Sequence, residues 1–209
     1  MYKFKIMGYN EIMKTITYCN ENKITVDNEI SAKEILEKFN LDVNTLAGIK
    51  INNEVCSLSQ KIEFDANIEP VFFNSTEGAA IYRRSLCLLL ATAAHKLFPG
   101  KRLLVGHSLG YGYYYTIDSE IKITNDDIEN LKAQMFALVE KNIEITQKYV
   151  SYSQATELLE NLGLIETRKQ LNYLCKSKIL LNNLDDFSDI YFGPLVLTTG
   201  VLKTFDLIK

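Results

Sequence analysis

The sequence contains no tryptophan, three prolines, two histidines and four cysteines. The cysteines stand far apart, at positions 19, 56, 87 and 175, and none forms a C-x-x-C pair. That spacing excludes a disulfide scaffold or a cysteine-rich zinc site and points to reduced, buried thiols. Long hydrophobic runs are also missing. The longest, Leu86–Ala94, is interrupted by Thr92 and falls far short of the roughly 20 residues a membrane span needs. Met1–Tyr9 alternates polar and apolar residues like a strand, not like a signal peptide. A soluble, cytoplasmic protein without a membrane partner is expected. Positive charge is scarce too: the net charge is −3 and the pI about 5.5, which disfavours a dedicated nucleic-acid binder. No G-x-x-x-x-G-K-[ST] motif occurs. The glycine-rich run Gly106–Gly112 has no lysine after its last glycine to set against phosphates.

What is present is enough to build a core. The chain has 209 residues, 47% of them hydrophobic, which fits one or two domains. Tyr2–Met7 alternates with the period of a strand, a short link at Gly8–Asn10 follows, and Ile12–Tyr18 reads as its hairpin partner. Ser31 and Glu34 form a capping box ahead of an apolar helix face at Ile35, Leu36 and Phe39. Leu46–Ile51 reads as a strand, Asn52–Asn53 as a turn, and Ile68–Phe73 as a closing strand. A long, largely apolar helix is expected from Ala79 to Leu97, stopped by Phe98–Gly100. Arg102–Val105 and Tyr113–Ile117 read as a strand pair that flanks a glycine-rich loop carrying His107. Thr124–Asp127 caps a helix running to about Asn142. Then come a strand at Ile143–Val150, a serine-capped helix at Ser153–Leu162, a helix at Glu166–Cys175, and late strands at Ile179–Leu181 and Leu202–Leu207.

Three short motifs carry a resemblance: Ser85 with Leu97–Gly100, Gly106 with Gly112–Tyr115, and Gly193–Gly200. In this order and spacing the chain resembles the N-terminal half of threonyl-tRNA synthetase. The resemblance implies an α+β fold: a β-grasp TGS-like domain over residues 1–74, then an editing-like domain over 75–209 built around a long central helix and shared with alanyl-tRNA synthetase. The family's editing site uses two helix histidines four apart, plus a cysteine and a histidine flanking an R-G-P segment. Here the corresponding positions read Arg84, Leu88, Tyr191 and Leu195. In the wider superfamily such a set holds zinc, but leucine has no lone pair and guanidinium offers none. The resemblance therefore implies neither metal nor catalytic residue in this chain.

Arg84-Ser85-Leu86, His107-Ser108 and Phe192–Val196 with Thr199-Gly200 also look similar to the N-terminal region of bacterial uridine kinase-like nucleoside kinases. That resemblance implies an accessory or regulatory module that serves an attached P-loop kinase domain and binds a nucleoside or nucleotide. ATP and Mg would belong to the kinase domain alone, with no cofactor in this chain. The alternative is an RNA- or tRNA-binding module, or a residual aminoacyl-tRNA deacylase. Candidate pocket residues are Arg84, His107, Tyr113, Tyr115, Asp189 and Tyr191. Arg84 would either fork onto a phosphate or carboxylate or pair with Asp189. His107 would bind ligand or brace its loop. Tyr111 and Tyr113–Tyr115 would stack on a base or pack the sheet. Tyr191 would occupy the place of the family's cysteine. Asp185 and Asp186 read as solvated surface.

Overall fold

A computed structural model describes residues 13–27, 29–110, 112–118, 122–174 and 176–209. The strand expected at Tyr2–Met7, its link at Gly8–Asn10, and residues Tyr111 and Cys175 lie outside the described residues. The N-terminal part comprises β1 (Lys14–Tyr18), β2 (Asn22–Val26), β3 (Ile30–Ser31), α1 (Ala32–Lys38), β4 (Leu46–Ile51), β5 (Glu54–Cys56), β6 (Lys61–Ile62) and β7 (Ala66–Phe72). Five of these strands form one sheet in the order β2-β1-β7-β4-β5. β1 and β7 run parallel at its centre, and the other pairs are antiparallel. The capping box forms as expected: the Glu34 N–H donates to Ser31 Oγ at 3.3 Å, and the Ser31 N–H donates to the Glu34 carboxylate at 2.8 Å. This cap fixes the start of α1, whose Ala32, Ile35 and Leu36 share a core with Ile16, Ile49 and Ile68 of the sheet. Asn52 and Asn53 adopt positive φ, 48° and 68°, and turn β4 into β5.

The second half is organised on α2 (Thr76–Leu97). The helix starts three residues before the expected Ala79, because Ser75 Oγ accepts the Gly78 N–H at 3.0 Å and supplies an N-cap. Around α2 lie β8 (Arg102–Leu109), β9 (Gly112–Asp118), α3 (Asn125–Glu140), β10 (Thr146–Ser151), α4 (Tyr152–Asn161), α5 (Ile165–Gln170), β11 (Lys178–Leu184) and β12 (Phe187–Asp189). β8 and β9 make a two-stranded hairpin, and β10-β11-β12 form an antiparallel sheet. Ile81, Leu88, Leu89 and Ala93 of α2 are at most 1% exposed and join Met135 and Leu138 of α3, Leu184 and Phe187 in one core. No helix among the described residues is long and apolar enough to cross a membrane.

Several local expectations need correction. β8 continues through Gly106–Leu109, so His107 lies in a strand and not in a loop. The strand expected at Ile143–Val150 begins at Thr146, and the helix after it is capped by Ser151, whose Oγ accepts the Gln154 N–H. The helix expected over Glu166–Cys175 ends at Gln170 and tightens into a 3-10 turn at Leu171–Tyr173. Leu202–Leu207 is not a strand. Its polar and aromatic groups are taken up by helices instead: Tyr82 Oη accepts the Thr204 N–H at 2.8 Å, Phe205 stacks on Phe136 at 4.5 Å, and Asp206 pairs with Lys132 at 2.8 Å.

Gly78 shows how tightly α2 is seated. A Cβ built there would lie 2.0 Å from the Phe72 carbonyl oxygen, a backbone atom that cannot swing aside. Gly78→Ala should therefore lower stability by about 1–3 kcal/mol through overpacking, read as a reduced midpoint in urea denaturation. An unchanged midpoint would mean that the start of α2 is not pressed against the end of β7.

Candidate functional site

The site is where α2 faces the segment 191–196. Ser85 is 0% exposed. Its Oγ donates to the Ile81 carbonyl at 2.8 Å and accepts the Val196 N–H at 2.9 Å, which ties the segment to the helix. Arg84, next along the helix, donates from Nη1 to the Pro194 carbonyl at 2.8 Å. Its guanidinium lies against Gly193, where an added Cβ would meet guanidinium atoms at 2.9–3.2 Å. Gly193 also has φ +111°, a conformation that favours glycine. Leu88, one turn after Arg84, and Leu195 are 0% and 1% exposed and belong to the same core. Arg84 and Leu88 thus come from α2, and Tyr191 and Leu195 from the segment that faces it. Two of them fill the space with hydrocarbon.

Beside Arg84 lies a group of polar side chains. Tyr115 Oη donates to Cys87 Sγ at 2.9 Å, and the Cys87 thiol donates to the Arg83 carbonyl at 3.3 Å. Burial pushes the Cys87 thiol up, while the Tyr115 hydrogen bond and the Arg84 charge pull it partly back. The Tyr115 phenol is raised by burial and then by Cys87. Tyr191 is held well above its usual value by burial, then by Asp189, Cys87 and Tyr115. Asp189 is pushed up to about 6 by burial, against hydrogen bonds from the Ile190 N–H and the Thr167 side chain. At neutral pH the thiol and both phenols are therefore uncharged, and Asp189 titrates close to neutrality. An Arg84–Asp189 ion pair, one of the two alternatives expected for Arg84, is not present among the described residues. The contacts with Pro194 and Gly193 hold the guanidinium elsewhere.

Two further residues belong here and were not expected from the sequence. Gln147, Asn182 and Asp189 are register partners across β10, β11 and β12, so they point to one face of that sheet. Asn182 is 0% exposed. Its Oδ1 accepts from Gln147 Nε2 at 3.0 Å, and its Nδ2 has no partner. The available signal was an asparagine at an inward position of an apolar strand, visible only once the strand's register was known. Cys87 was also missed, since in sequence it is one more apolar residue of a buried helix.

The other candidates fall elsewhere. His107 is exposed and stacks on Tyr114 at 5.5 Å. Tyr114 points to the opposite face of β9 from Tyr115, so His107 is not brought to the Arg84 group. Tyr113 shares the Tyr115 face and meets its ring edge-on at 6.4 Å, but is 42% exposed. Asp185 and Asp186 are exposed, as expected of surface acids, and pair with Lys96 at 3.1 and 2.8 Å. His95 packs at 5.3 Å from Phe187. The donor set does not fit zinc: two positions are leucine, one is a guanidinium bonded to a carbonyl, and one is a phenol kept neutral by burial.

No family model matches the chain. It is similar to curated threonine–tRNA ligases. With that of Maridesulfovibrio salexigens it is 32% identical over 161 residues, which is 77% of this chain and 25% of the relative. With that of Lactococcus lactis it is 31% identical over 204 residues, or 94% of this chain and 31% of the relative. With that of Clostridium botulinum strain Eklund 17B it is 30% identical over 181 residues, or 85% and 27%. The chain thus spans roughly a quarter to a third of the length of these relatives. Nothing in the comparisons shows a uridine kinase-like association.

The Asp189 carboxyl gives a stability test. Its folded value of about 6 lies above its ordinary 3.8, so the folded state favours the protonated form. Stability should fall as pH rises from about 4 through 6, by on the order of 2–3 kcal/mol. Asp189→Asn lacks that slope and should gain on the parent by this amount between pH 4 and 7 in denaturant titrations. A pH-independent difference would show that Asp189 ionises freely.

Proposed function

We propose that the chain is an N-terminal module of a threonine–tRNA ligase-related protein, one that contacts tRNA and has given up the editing reaction. The observation that carries this reading is the similarity to threonine–tRNA ligases over as much as 94% of the chain. Within it, residues 1–74 form a β-grasp TGS-like domain. The parallel β1–β7 pair at the centre of a mixed sheet, with α1 sharing its core, supports that assignment. Residues 75–209 form the editing-like domain, supported by the long α2 facing the segment 191–196.

The loss of hydrolysis rests on chemistry. Ester hydrolysis needs a base or metal to activate water. Arg84 is a permanent cation, Leu88 and Leu195 are inert, and the phenol of Tyr191 stays neutral. Asp189 is the one group of this cluster that titrates near neutrality, and it stands without a histidine. Cytoplasmic location is part of the same proposal. The kinase partner, ATP and Mg belong to the kinase reading, and no observation favours that reading over the ligase-related one.

A gel shift with bulk tRNA at about 50 and 200 mM salt tests the binding. A complex at the lower salt that weakens steeply at the higher is expected, as phosphate contacts require. Mischarged tRNA incubated with the protein should keep its amino acid at the uncatalysed rate. Absence of any shift at low salt would sink the RNA-binding reading. Hydrolysis by the parent protein that is lost in His107→Ala would overturn the non-catalytic one.

A further inference from the structure

The hairpin β8–β9 is anchored at its base and bare toward its tip. Leu103, Tyr115 and Ile117 pack against the core around α2 and α3. Beyond Leu104 and Tyr115, every described residue of the two strands is exposed. Val105, Leu109, Tyr113 and Tyr114 are large apolar or aromatic side chains that stay between 42% and 61% exposed there. Among the described residues, each strand pairs only with the other. A two-stranded hairpin is marginal by itself, and a free strand edge is a template for further pairing.

The two edges differ. Val105 pairs with Tyr115 and Ser108 with Tyr113, so Gly106 and His107 of β8 stand opposite Tyr114 alone. Such a bulge bends its strand and interrupts the ladder. β9 runs without an extra residue over Gly112–Asp118. Natural edge strands are blunted by lysine, proline or bulges. β9 has none of these, and no Lys, Arg, Asp or Glu occurs from Leu103 to Ile117. Tyr114 is also held in place: its ring stacks on His107 at 5.5 Å, and a Cβ at Gly106 would lie 3.0 Å from it. A ring already fixed loses little freedom on association.

The absence of charge selects the occupant. An RNA strand needs cations for its phosphates, and the ribbon between Leu103 and Ile117 supplies none. A charged peptide would find no opposite charge there. A second copy of the same ribbon meets neither an unmatched charge nor like-charge repulsion, and antiparallel strands pair about a two-fold axis, the commonest symmetry of protein dimers. We infer that the chain self-associates through β9, whose outer edge pairs antiparallel with β9 of a second copy to give a four-stranded sheet, with Tyr113 and Tyr114 covered in the contact. The two tyrosines and the strand edge bury on the order of 300–400 Å² per copy, less than half of a standard interface. The dimer is therefore weak, with a dissociation constant on the order of 100 μM. This inference goes beyond the ligase-related reading and does not rest on it.

The test is sedimentation equilibrium of the whole chain without RNA, from about 10 μM to about 1 mM, with hydrogen exchange of β9 read at both ends of that range. A monomer at the low end and a growing dimer toward the high end are expected. The β9 amides that do not bond to β8 should gain protection roughly in proportion to the dimer formed. Tyr114→Lys places a charge at the strand pair and should weaken the dimer by about tenfold or more. Tyr149→Lys, at an exposed tyrosine of β10, should leave it unchanged. Urea midpoints establish that both variants fold, and the exchange measurement on the parent chain decides the matter even if Tyr114→Lys does not. The inference is overturned if the chain stays monomeric at the highest concentration, if a dimer forms while the β9 amides gain no protection, or if folded Tyr114→Lys dimerises as well as the parent. Bulk tRNA that protects the same amides on a monomeric chain would assign the ribbon to RNA and overturn it too. Because the sedimentation contains no RNA, its result leaves the outcome of the tRNA gel shift standing.

Discussion

Much of the molecule's second half depends on one buried hydroxyl. Ser85 lies in the middle of an apolar helix with no exposed surface. Its hydrogen is satisfied by the helix's own Ile81 carbonyl, which frees its oxygen to accept the Val196 N–H from the far end of the chain. A buried N–H without such an acceptor would cost the full desolvation of the group. Thr199 repeats the device one step further on, donating to Leu138 and accepting from Ile143. Together the two hydroxyls lace residues 196–199 onto α2 and α3. That lacing places Pro194 over Arg84, and Gly193 alone leaves room for the guanidinium beneath it.

The site's chemistry follows from that placement. Where the family resemblance leads one to expect imidazole and thiolate, this segment and helix present a guanidinium, a phenol and two leucines. The leucines close the space with hydrocarbon, and burial keeps the neighbouring thiol and phenols neutral. What remains is electrostatic asymmetry, with a fixed cation on the helix side and a carboxyl near its titration point on the sheet side. Such a site is suited to recognition and poorly suited to activating water.

Local sequence signals read well where a short-range rule governs them. The Ser31–Glu34 capping box, the Asn52–Asn53 turn, the long helix and the β8–β9 pairing depend on neighbours within a few residues and are found where expected. The tail at 202–207 was misread because its apolar alternation is satisfied by α2 and α3, a tertiary fact. His107 reads as a loop residue because the segment is glycine-rich, yet β8 continues to Leu109, with an irregularity in its pairing to β9 between Val105 and Ser108. The candidate site was half legible. Tyr115 bonds to Cys87 and Tyr191 feels Asp189, Cys87 and Tyr115, whereas Arg84 is held at Pro194 and His107 stacks on Tyr114, on the other face of β9. Asn182 and Cys87 stayed hidden, since their roles appear only with strand register and helix facing.

Ser85 holds the segment 193–196 on α2, and the sharpest probe of that bond is hydrogen exchange at the Val196 amide. This amide should exchange only through global unfolding, and in Ser85→Ala it should exchange far faster while amides of the N-terminal sheet keep their protection. Rapid exchange of Val196 in the parent protein, at the rate of an open loop, would contradict it.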